Sequence, residues 1–114
     1  MRVVRLDPYE FASTSSEEHA AVVSADRRQF PSLDAFIQTT DALLGDAVPA
    51  RSDPASENGV VFDDDPLAAG LLHRCGVARD GLKEMTVRSR TWDAFDVVLT
   101  GDGRYVRVIW FTTA

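Results

Sequence analysis

Apolar positions are densest near the C-terminus, where two runs, residues 92–100 and 104–112, flank Gly101-Asp102-Gly103. Asp-Gly between β-type runs predicts a hairpin with a two-residue type I′ turn, because both central residues of that turn need φ > 0. With Asp102 and Gly103 as the loop, paired positions sum to 205. Side chains alternate across a strand, so this register sorts them onto two faces. One face is wholly apolar: Leu99 with Val106, Val97 with Val108, Phe95 with Trp110. The other is mixed: Thr100 with Tyr105, Val98 with Arg107, Asp96 with Ile109, Ala94 with Phe111, and Trp92 near Thr113. The apolar face is expected under helices and the mixed face partly wet.

Upstream, residues 2–6 read as a short strand, and Asp7-Pro8 as a helix or turn start. Residues 17–30 are ambiguous. Ser15 and Glu18 have capping-box spacing, while Ala20-Ala21-Val22-Val23 suits a short buried strand turning at Ala25-Asp26-Arg27. The strand is favoured, because Pro31-Ser32 opens a clearer helix directly afterwards. That helix spans residues 33–44, with Ser32 as N-cap, Asp34 in the first turn and Gly45 as a left-handed stop. Leu33, Phe36, Ile37, Thr40, Leu43 and Leu44 recur at helical spacing and point to the core.

Residues 46–58 hold two prolines and little that packs, and are expected to be a mobile loop. Residues 59–62 predict a short strand. Asp65 and Pro66 then suit the cap and first position of a second helix through Leu67, Leu71, Leu72 and Cys75, stopped at Gly76. Gly81 opens a turn into a strand over residues 82–90. The chain is thus a single α+β domain over residues 1–114. Its mostly antiparallel sheet has four or five strands, ending in a C-terminal hairpin and meander, with two main helices packed on one face.

Length and composition change this picture little. At 114 residues with 45% hydrophobic side chains, one core forms without metals or disulfides. A single cysteine, Cys75, and the lack of an apolar segment of spanning length or a leader-type N-terminus predict a soluble cytoplasmic protein without membrane contact. Charge matters more. The net charge is −6, with 13 acidic and 6 basic residues in positions 1–78 against 5 and 6 in positions 79–114. That balance disfavours duplex nucleic acid and suits a partner with a basic surface.

Candidate chemistry is sparse. Asp63-Asp64-Asp65 lacks the converging geometry of a hard-cation loop and reads first as helix capping. His73 and Cys75, two apart on a helix, point in different directions, and only His19 could join them. Gly101-x-Gly103 is no dinucleotide site. Catalytic residues, cofactor and metal are therefore not predicted.

The stronger constellation is the mixed sheet face, where Trp92, Tyr105, Ile109 and Phe111 accompany Asp96 and Arg107, with Arg88 and Arg90 joining from the preceding strand. Aromatic and arginine side chains dominate interface hot spots. The competing reading is that a helix covers this face too, leaving Arg107 and Asp96 as a diagonal ion pair. These residues, with Asp63 and Asp64 as an acidic addition, predict a protein–protein interaction module of inhibitor, immunity, antitoxin or regulatory type. A homodimer through the sheet face is one form of it. The alternatives are a small enzyme or ligand binder with a pocket between helices and sheet, using His19, His73 or an aspartate, and a single-stranded nucleic acid binder stacking bases on the aromatic face.

Overall fold

The register set at Asp102-Gly103 is the register found. In the computed structural model, which describes residues 1–9, 18–49, 60–61, 66–91 and 93–112, the pairs run from Thr100↔Tyr105 to Ala94↔Phe111 without a slip. The strands are β1 (Arg2–Tyr9), β2 (Glu18–Asp26), β3 (Val60–Val61), β4 (Leu82–Arg90), β5 (Ala94–Gly101) and β6 (Arg104–Thr112); the helices are α1 (Leu33–Leu44) and α2 (Pro66–Arg74). They form one antiparallel sheet in the order β1-β2-β6-β5-β4-β3, with the predicted hairpin at its centre. Five strands are long, and two-residue β3 pairs with Glu84 and Met85 at one margin.

The turn is not of type I′. Positive φ occurs at Gly45, Gly76 and Gly81, not at Gly103. The Gly103 carbonyl accepts the Arg27 N–H at 3.1 Å, and Arg27 Nη1 donates to the Gly101 carbonyl at 2.9 Å. The reversal is therefore tied to the chain leaving β2 and does not follow the twist of a free hairpin.

Residues 18–26 form a strand, as favoured. Asp26 then caps a short 3-10 turn by accepting the Arg28 N–H, while Gln29 reaches back to the Asp26 N–H. Asp7-Pro8 does not start a helix: β1 runs through both to Tyr9, with a register irregularity between Leu6 and Tyr9. Proline is tolerated there because β1 is an edge strand, where a ladder donor can be missing. α1 has the expected bounds, with Ser32 Oγ accepting the Ala35 N–H at 3.1 Å and Gly45 at φ 55°. Its buried stripe is Phe36, Ile37, Thr40 and Leu44; Leu33 is half-buried and Leu43 lies on the outer flank, exposed. The expected loop over residues 46–58 lies outside the described residues from position 50 onward, and so does the Asp65 cap.

The two helices do not share a face. α1 packs on Ala21, Val23, Ala25, Val98, Tyr105 and Ile109; α2 packs on Ala20, Val22, Val97, Leu99, Val106 and Val108. Neighbouring residues in β2 and β5 are apolar in unbroken runs, so both faces need a cover, and one helix goes to each. The edge strand clamps both. Arg2 donates to the Cys75 and Gly76 carbonyls at 3.2 and 3.4 Å, and Arg5 to the Leu43 carbonyl at 3.2 Å. Guanidinium groups suit the carbonyl-rich ends of helices.

Close approach at the β4–β5 end supplies a test. A Cβ at Gly101 would lie 2.5 Å from the Gly81 carbonyl oxygen, whereas one at helical Gly70 meets nothing within 4 Å. Gly101→Ala is expected to destabilise by about 1–3 kcal/mol and Gly70→Ala to stabilise by about 0.5–1 kcal/mol. Urea denaturation measures both, and equal shifts for the two variants would contradict the packing.

Candidate partner-binding site

The mixed face of β5–β6 is covered, which corrects the expectation that it is partly wet. Under α1, Asp96 and Ile109 are 1% exposed, Tyr105 4% and Arg107 0%. Phe36 of α1 tilts against Tyr105, ring centroids 5.3 Å apart. A dimer or nucleic acid therefore finds no aromatic platform at these positions.

Arg107 is the hub of that layer. Its Nε and Nη2 donate to the two Asp96 oxygens at 3.0 and 2.8 Å, and Nη1 donates to Thr40 Oγ1 at 2.9 Å and the Ile37 carbonyl at 3.2 Å. The Thr40 hydroxyl in turn donates back into α1, toward the Phe36 and Ile37 carbonyls. Asp41 Oδ1 lies 2.6 Å from Nη1 as an ion pair, off the hydrogen-bonding direction. Burial acts to lower the Arg107 pKa, but the hydrogen bonds and charge of Asp96, followed by the nearby Asp41 carboxylate, outweigh it and raise it. The diagonal ion pair is thus a buried structural device joining α1 to the sheet.

The other predicted residues scatter. β4 carries a register irregularity between Val87 and Ser89, after which Ser89 faces Asp96 and Arg90 faces Phe95. One extra residue inverts the alternation, so Arg90 lies over the Phe95 ring, 5.1 Å from its centroid, on the α2 side and not on the mixed face. Arg88 is half-buried at the irregularity. Phe111, half-buried, stacks on His19 at 4.7 Å. Trp92, Asp63 and Asp64 lie outside the described residues. His73 is exposed near the end of α2, and Cys75 is buried, its thiol pushed up by burial. Among the described residues no cluster of three or more His, Cys, Asp or Glu is placed to hold a metal ion. No helix among them is long and apolar enough to cross a membrane.

Two surface features remain. A cleft of 370 Å³ is lined by Val48, Pro49, Ser89, Thr91, Asp93 and Phe111, among others. The Ser89 hydroxyl there is buried without a hydrogen-bond partner among the described residues. A larger, open cleft of 790 Å³ lies where β1 begins, with Arg2, Ser24, Asp26, Arg28 and Arg104 in its wall. Beside it runs the outer edge of β1. Among the described residues no strand pairs with that edge, and Met1 and Val3 are 51% and 37% exposed there. Sequence reasoning missed this surface because the order of strands, which makes β1 an edge, is not written in residues 1–9.

No protein-family model matches the chain, and neither the curated proteins nor the solved structures searched give a match.

The Arg107 layer gives a sharp expectation. Arg107→Met alone strands the Asp96 carboxylate and should cost about 3–5 kcal/mol, whereas Arg107→Met with Asp96→Leu should recover most of that loss. Urea denaturation of the singles and the double decides it. A double variant as unstable as the singles combined contradicts the account.

Proposed function

We propose that this protein is an interaction module that takes up an extended polypeptide segment along the outer edge of β1, by main-chain pairing. The observation that carries this reading is the open edge itself. Among the described residues the sheet faces are occupied by α1 and α2; at the opposite margin β3 pairs only with Glu84 and Met85, and β4 beyond it is broken by its irregularity between Val87 and Ser89. An edge strand directs alternate N–H and C=O groups outward, and a partner strand satisfies them with little demand on sequence. Residues 2–6 pair regularly with β2, so this stretch is held straight and in register. Beyond it, Pro8 and the register irregularity interrupt the edge, which limits the docking length to about five residues.

The module binds and holds; an inhibitor, immunity or regulatory role would follow from which segment is held. A reducing compartment suits it, since Cys75 is a buried free thiol. The small-ligand alternative has less support, because the one unpartnered hydroxyl in the smaller cleft, that of Ser89, is itself sealed from solvent.

The direct check is a titration of the ¹⁵N-labelled protein with a capped alternating Thr-Val hexapeptide, followed by amide chemical shifts. The expected result is a saturable shift confined to residues 2–6 and their β2 neighbours. Shifts confined to other surfaces, or none up to the solubility limit, contradict the reading.

A further inference from the structure

The cleft at the start of β1 specifies what kind of segment the edge takes, an inference that rests on the edge-pairing reading. β1 pairing ends at Arg2↔Ser24, but β2 continues to Asp26, which pairs with Arg104 on its other side. The sheet margin therefore has a notch two residues deep, next to Met1 and Arg2.

Three guanidinium groups line this notch. Arg2 bonds to the Cys75 and Gly76 carbonyls, and Arg104 bonds to the Ala78 and Asp80 carbonyls. One loop after α2 thus holds both side chains on the same side of the sheet. Carbonyl bonds orient a guanidinium but leave its charge unneutralised. Arg28 pairs with Asp26 at 2.8 Å, and that pairing holds the Asp26 carboxyl down to about 2, through the Arg28 side-chain hydrogen bond first and its backbone N–H second. The carboxylate is thus fully charged across the ordinary pH range, and among the described residues lining the notch it offsets one of three positive charges.

That excess stands out against the rest of the chain. The chain carries a net charge of −6, whereas the described wall of the notch, with Arg2, Arg28 and Arg104 against Asp26, is locally positive.

We propose that the notch receives carboxylate side chains at one end of the segment paired along β1, so that the partner is an acidic extended polypeptide. Arginine forks match carboxylates with two parallel bonds, and a complementary charge at the end of a strand fixes its direction and register. The notch and the edge share Met1 and Arg2, so one segment reaches both. A second copy of the chain fits less well: antiparallel β1–β1 pairing would bring two sets of Arg2 and Arg5 together.

The experiment compares the capped Thr-Val hexapeptide with the same peptide carrying two glutamates, or two lysines, at one end, at about 20 and about 300 mM NaCl. The glutamate peptide is expected to bind at least about fivefold more tightly than the neutral one at low salt, with the gain shrinking at high salt. Amide shifts should then extend from β1 to Asp26, Arg28 and Arg104, and the lysine peptide should bind more weakly than either. Arg28→Gln, at a side chain 90% exposed, and Arg104→Gln should each reduce the gain, with circular dichroism confirming the fold. Equal affinity for all three peptides, with β1 shifting each time, overturns the notch proposal and leaves the edge reading standing. Shifts in the notch without β1 overturn the edge reading and this inference together.

Discussion

A buried arginine decides which surfaces this protein has left to use. Arg107 sits on an interior strand and beneath a helix, with its guanidinium engaged by Asp96, Thr40, the Ile37 carbonyl and Asp41. A buried ion pair is weak evidence for stability, since desolvating two charges offsets much of their attraction. Its value here is geometric. Five donors in a rigid fork have to be satisfied at once, and the arrangement that satisfies them puts the last turns of α1 over β5 and β6 in one register.

Once α1 is fixed there, the layout of the domain follows. The apolar runs in β2, β5 and β6 need cover on both faces, so α2 has to take the opposite side, and Arg2 and Arg5 of β1 reach across the two faces to the helix ends. The sheet becomes the middle of three layers. Among the described residues the outer edge of β1 has no partner strand, and it ends at the notch where that strand stops short. Interaction through a sheet edge depends on main-chain groups more than on side-chain identity, which is why so few conspicuous motifs mark it.

Much of this was legible in the residues. Asp102-Gly103, flanked by alternating apolar positions, defined the central register, because a slip by one would have mixed the faces. Ser32, Asp34 and Gly45 bounded α1, and the crowding of residues 17–30 against Pro31-Ser32 favoured a strand before it. The failures have physical causes. The irregularity at Arg88 inverts the alternation in β4 and moves Arg90 to the other side, and no residue there announces it. Asp7-Pro8 reads as a helix start wherever β1 is not known to be an edge. The aromatic and arginine content of the mixed face suits an interface and a buried layer equally, and only the placement of α1 separates them. The unbroken apolar run Ala20-Ala21-Val22-Val23 was the available signal that both faces are buried.

The most direct measurement of the central claim is the NMR behaviour of the Arg107 side chain in the intact protein. Pinned between α1 and the sheet, its Nε–H and Nη–H protons should give separate, slowly exchanging resonances with cross-relaxation to Ile37 and Thr40. A single averaged guanidinium signal in rapid exchange with water would mean that the helix does not seal this face, and the assignment of binding to the β1 edge would lose its basis.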